Sequence, residues 1–157
     1  MSASGEGHSV GSGIPQREQL RAHRQVFWDA WQKSQANLPL NALEVRIARV
    51  IEMHPGYHFL FNDMEVFLDR DFAVDEGLNP YIHLSLHLAL EEQISIHHPP
   101  ELAQCLEHLM QQRGLDRHDA LHVLLDILAE TVYYASRQGG EPDLDAYLKR
   151  VRALMRS

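Results

Sequence analysis

Residues 79–96 read NPYIHLSLHLALEEQISI, and this stretch decides the fold. Asn79 is a good N-cap and Pro80 suits a first helical turn, so a helix opens here and runs to about Ile96. Set His83 at 0° and advance about 100° per residue: His87 falls near 40°, Ile94 near 20° and Leu90 near 340°. Tyr81, Ser85 and Glu92 gather at roughly 160–200°, while Leu and Ile take most other directions. A helix this apolar nearly all round is mostly buried. Its thin polar stripe points away from the histidines, so His83 and His87 are expected to face the interior. Glu91, at about 80°, can join them.

The same punctuation continues outward in both directions. Upstream, Pro15 opens a helix to about Ala36 that carries Leu20, Phe27, Trp28 and Trp31 at helical spacing, and Pro39 marks the break. Asn41-Ala-Leu-Glu44 has the form of a capping box before the apolar stripe of Leu43, Ile47, Val50 and Ile51. His54-Pro55 closes that helix, because the residue before proline is pushed out of helical geometry. Order is looser from Gly56 to Leu78: a short helix over Asp63–Leu68, then Asp69-Arg70-Asp71 and a loop through Gly77.

Downstream, His98-Pro99-Pro100 ends the central helix and starts another to Arg113, with Gly114 as its stop. Asp116 caps a long helix to Gln138, Gly139-Gly140 ends it, and a last helix runs from about Asp143 to Met155. No β-branched run alternates for long, and no repeat of 20–50 residues is visible. The expectation is an all-α protein: a compact helical bundle of about six helices in a single domain over 14–157. Residues 1–13, MSASGEGHSVGSG, read as a disordered lead-in without the apolar centre of a signal peptide.

Composition narrows the functional classes. The chain has 157 residues, is 45% hydrophobic and 23% charged, and carries 14 basic against 22 acidic side chains, a formal charge of −8. Such a surface repels a phosphate backbone, so no nucleic-acid partner is expected. No apolar run is long enough to span a bilayer, which argues against a membrane role. Arg17, Arg21 and Arg24 read as one solvated helix face. The single cysteine, Cys105, excludes an internal disulfide and a cysteine-rich zinc module, and reads as a small core hydrophobe. A cytoplasmic location follows as the default, with room for a protein partner or a homo-oligomer.

Eleven histidines remain to be explained. Three pairs stand four residues apart: His54/His58, His83/His87 and His118/His122. Random spacing of eleven would give about 0.75 such pairs, so the excess is real but modest. On a helix that spacing puts two imidazoles a turn apart on one face, where both can reach one metal ion. His54-Pro-Gly-Tyr-His58 is interrupted by Pro55 and Gly56, but a turn there can still deliver His58 toward a bundle. In the long helix His122, Asp126 and Glu130 run along the flank of the stripe formed by Leu121, Leu124, Leu128, Val132 and Ala135, with His118 nearer the solvated end.

Two familiar metal motifs are excluded. His118-Asp-Ala-Leu-His122 departs from the zinc-protease HExxH, because Asp119 is one methylene shorter than the glutamate that mechanism needs. The paired Glu-x-x-His motifs of di-iron bundles would need glutamate at 80 or 84 and at 115 or 119, where the chain has Pro80, Leu84, Leu115 and Asp119. A mononuclear site is therefore expected, with His83 and His87 as two ligands and His58, His122 and Glu130 as completers. Imidazole and carboxylate donors without thiolate suit zinc, iron or manganese. The alternative is a non-enzymatic interaction or scaffold protein, whose buried histidines join hydrogen-bond networks with Asp69, Arg70 and Asp71. No substrate or reaction can be read.

Trp28-Asp-Ala-Trp31, Leu38-Pro-Leu40, His54-Pro-Gly-Tyr-His58, Leu68-Asp-Arg-Asp71 and the 79–93 stretch together resemble an uncharacterised bacterial family, domain of unknown function 1841. The likeness covers roughly residues 20–154. Its matching positions here are His54, His58, Asp69, Arg70, Asp71, Asn79, His83, His87, Glu92, Gln93, His122 and Glu130. What the resemblance implies is a small bacterial cytoplasmic protein with polar residues set in helices as if for a site. It implies no activity, since the family has none assigned.

Overall fold

A computed structural model describes residues 16–71 and 79–156. These residues form helices and loops and contain no strand. In chain order they are α1 (Gln16–Gln35), α2 (Ala42–Glu52), a 3₁₀ segment (Pro55–Asn62), α3 (Met64–Asp69), α4 (Pro80–Ser95), α5 (Pro100–Gln112), α6 (Arg117–Gln138) and α7 (Leu144–Leu154). The all-α class stands. The expected count of about six helices is too low, since eight helical segments occur among the described residues. Part of the difference lies at Pro55 and Gly56, which end α2 but leave the chain in tight 3₁₀ turns. The 1–13 lead-in and most of the loop through Gly77 lie outside the described residues.

Local capping chemistry accounts for the starts of α2, α3, α4, α6 and α7. Asn41 and Glu44 make the reciprocal capping box, with the Glu44 amide donating to Asn41 Oδ1 at 2.8 Å and the Asn41 amide donating to Glu44 Oε1 at 3.0 Å. Asp63 caps α3, Asn79 caps α4, Asp116 caps α6 and Asp143 caps α7, each accepting from an amide two or three residues on. Gly139 ends α6 at φ 69°, the left-handed conformation in which the chain turns back on the last carbonyls.

The chain divides into two compact units, Met1–Asp71 and Phe72–Ser157. In the first, α1 packs on α2 and α3. Phe27 and Trp31 are buried, and an aromatic cluster joins Trp28, Trp31, Phe61 and Phe67 at centroid distances of 4.5–6.2 Å. The tryptophans are therefore packing residues.

The arginine face of α1 differs from the solvated stripe expected of it. Arg24 is buried and donates from Nη1 to the carbonyls of Leu68 at 3.1 Å and Arg70 at 2.8 Å. Arg21 pairs with Asp69 and reaches Glu65 at 3.7 Å. A six-residue helix leaves most of its C-terminal carbonyls without intrahelical donors, and Arg24 supplies protons there.

In the second unit α6 is the central helix and packs on α4, α5 and α7. Its Leu121, Leu124, Leu125 and Leu128 meet Leu86 and Leu90 of α4, Leu102 and Leu109 of α5, and Tyr147 and Val151 of α7 in one core. Cys105 is buried there, as its apolar neighbours predict. Val132, expected on the apolar stripe of α6, is instead exposed, because α6 outruns the core beyond Leu128. On α4 one correction matters: Tyr81 is buried, although the helical projection puts it on the solvent stripe. Ser85 on that stripe donates back to the Tyr81 carbonyl at 2.7 Å, so the hydroxyl is satisfied within the helix.

Candidate metal centre

Two helices of the second unit each present a pair of imidazoles one turn apart. His83 and His87 project from α4; His118 and His122 project from the first turns of α6. Since α4 packs against α6, the pairs converge. His87 is fully buried, and His83, His118 and His122 are half-buried. The ring centres of His83, His87 and His122 form a nearly equilateral triangle: 4.9 Å between His83 and His87, 5.3 Å between His83 and His122, and 4.8 Å between His87 and His122. These three rings can each direct one nitrogen into a common volume, with the chosen atoms within 4.8 Å of one another.

His87 Nε2 lies 3.0 Å from His122 Nε2. A neutral imidazole has one N–H donor and one bare nitrogen, so this contact is a hydrogen bond when one ring donates and the other accepts. His118 packs edge-on against His122 at 4.2 Å and lies nearly parallel to His87 at 6.0 Å. It was expected at the solvated end of its helix and belongs instead to the cluster. Its four-residue spacing from His122 was the signal in the sequence. Which rings it would touch depended on α4.

Electrostatics disfavour the charged form of His122. Burial holds the His122 imidazole below its ordinary value of 6.5, and a charged His118 acts in the same direction. Asp126 and Asp119 pull the other way without reversing the shift. A neutral imidazole is the form that can bind a cation or accept a hydrogen bond. Beside the cluster, Arg117 of α6 grips Glu91 of α4 through two parallel contacts of 2.7 and 2.8 Å. This fork joins the two histidine-bearing helices next to His118 and one turn from His87. Glu91, which the helical projection put beside the histidines, is thus held by a guanidinium.

The other candidate ligands are placed as follows. His58 belongs to the first unit, where its Nε2 hydrogen-bonds the Ile51 carbonyl at 2.8 Å and its ring tilts against Trp31 at 4.7 Å. His54 donates from Nδ1 to the Val50 carbonyl at 2.6 Å and stacks on Tyr57. Glu130 lies two turns beyond His122 on α6, exposed, with its carboxylate 2.5 Å from Arg150. Asp126 is exposed. In the first unit, Asp69 pairs with Arg21, the Arg70 carbonyl accepts from Arg24, and the Arg70 guanidinium sits 5.6 Å from the centre of the Phe59 ring. Of the expected site residues, then, His83, His87 and His122 are brought together.

No helix among the described residues is long and apolar enough to cross a membrane. No curated protein and no solved structure matches the chain. The family model described as Domain of unknown function (DUF1841) does match, over residues 17–153, so the chain belongs to that family.

Proposed function

We propose that the protein is a metal-binding helical bundle whose mononuclear centre is built on His83, His87 and His122. The observation that carries this reading is the spacing of the three rings. A zinc ion bound through one imidazole nitrogen at about 2.05 Å lies roughly 3.2 Å from that ring's centre, so two tetrahedral imidazole ligands have centres about 5.2 Å apart. The three separations of 4.9, 5.3 and 4.8 Å fall within a few tenths of an ångström of that value. The nitrogens of two such ligands stand about 3.3 Å apart. His87 and His122 are at 3.0 Å, so a small opening of that pair admits an ion. Nitrogen donors favour zinc, with iron next and manganese least suited, because manganese prefers oxygen. Glu130 would have to release Arg150 before it served as a ligand.

The same 3.0 Å contact supports a second reading, in which the rings form a purely hydrogen-bonded network that pins α4 to α6 in an interaction or scaffold protein. Elemental analysis of untagged protein, purified without added metal, separates the two. Near-stoichiometric zinc, iron or manganese is expected, falling to background in the His83→Ala, His87→Ala double variant. Background metal in the wild type, with a melting temperature unmoved by chelator, would establish the hydrogen-bonded network instead.

A further inference from the structure

The geometry points to His118 as the fourth donor of this centre, closing it as a four-imidazole site with no position left for substrate. This rests on the metal-binding reading above and deepens it. Each of two packed helices carries an i, i+4 histidine pair, and the two pairs face each other across the α4–α6 contact. His118 has ring centres of two proposed ligands as neighbours: His122 at 4.2 Å and His87 at 6.0 Å. Those separations straddle the tetrahedral value of about 5.2 Å, one short and one long by roughly 1 Å. Rotation of His118 about its side-chain torsions, away from His122 and toward His87, is the movement that ligation requires of it.

The nearby carboxylates are worse candidates. Glu91 is held by the two-pronged contact from Arg117. Glu130 is on Arg150. Asp119 and Asp126 are exposed and flank His122 along α6 at three residues before and four after. There they offset part of the ion's charge from a distance, since four neutral imidazoles cancel none of it.

Four protein ligands define a closed site, whereas a catalytic zinc keeps one position for water. The ion's role is then to cross-link α4 to α6, and the donor set selects zinc or cobalt over manganese and magnesium. No activated water, and hence no hydrolytic step, belongs to this arrangement.

Cobalt(II) titration of the metal-free full-length protein tests the assignment, with zinc competition to obtain affinity. The wild type is expected to give the intense visible absorption of a tetrahedral nitrogen site. His118→Ala should weaken zinc binding at least tenfold and shift the cobalt spectrum toward a weaker, higher-coordinate form, with free imidazole restoring the original spectrum. His118→Asp, which retains a donor, should recover part of the affinity. Far-UV circular dichroism of the metal-free variants separates loss of a ligand from loss of the fold. If the wild type and His118→Ala bind with equal affinity and the same spectrum, His118 is no ligand and the three-histidine centre stands. A wild type that takes up neither cobalt nor zinc overturns the metal reading itself.

Discussion

Arg24 is the residue whose role changes most between sequence and structure. Its spacing from Arg21 predicts a shared face, and both side chains do meet α3, but spacing cannot say what that face meets. It meets the end of α3, where the carbonyls of Leu68 and Arg70 need donors that a helix of six residues cannot supply. Arg24→Met keeps the aliphatic stem and removes the protons, leaving those acceptors unsatisfied at roughly 1 kcal/mol each. We expect a loss of about 2 kcal/mol in unfolding free energy, measured as a lower urea midpoint at unchanged slope. A loss below about 0.5 kcal/mol would show that solvent replaces the guanidinium there, as at ordinary surface sites.

At the scale of elements, helix boundaries were legible because caps act over three or four residues. Asn41, Asp63, Asn79, Asp116 and Asp143 all cap the helices that follow them. Gly139 makes the same point at a C-terminus. At φ 69°, with nothing within 4 Å of an added Cβ, Gly139→Ala meets no steric neighbour and costs only its backbone strain, about 1 kcal/mol. Thermal unfolding should register that loss, and a neutral outcome would mean that the end of α6 frays readily. The Glu91–Arg117 fork could not be read from either helix, since the partners are 26 residues apart. Its side chains are partly exposed, so a double-mutant cycle with Glu91→Gln and Arg117→Gln should give a coupling of only about 0.5–1 kcal/mol. A much larger coupling would mean that the pair is desolvated in solution. Tyr81 shows the limit of a helical wheel: α4 is apolar on so many sides that its projection did not identify which side stays wet.

For the molecule as a whole, the histidine cluster couples stability to protons and, on the metal-binding reading proposed above, to the ion. The His122 imidazole is held below 6.5 in the folded protein, so the unfolded chain takes up its proton more readily. Its contribution is therefore fully present above about pH 6.5 and is lost as pH falls through that value toward the folded one. Urea midpoints of the metal-free protein should drop between pH 7.5 and 5.5, and less so in His122→Phe. A flat profile would show that these rings are not shielded from solvent. Zinc at a hundred times its dissociation constant should add about 2.7 kcal/mol, a rise of roughly 5–10 °C in Tm. That rise should shrink as the pH is lowered, because protons compete with the ion for the same nitrogens.

Sequence by itself determined the helical class, most of the helix ends and the pairing of histidines within each helix, all consequences of periodicity and of contacts a few residues long. Tertiary structure alone decided which pairs meet. His87 and His122 lie 35 residues apart and touch because α4 and α6 bury their leucines against each other, a packing that no local signal encodes. The same kind of long-range choice drew Arg24 inward, gave Glu91 to Arg117 and placed Glu130 on Arg150. A side chain's options follow from its own helix, and its partner follows from the surface that helix is packed against.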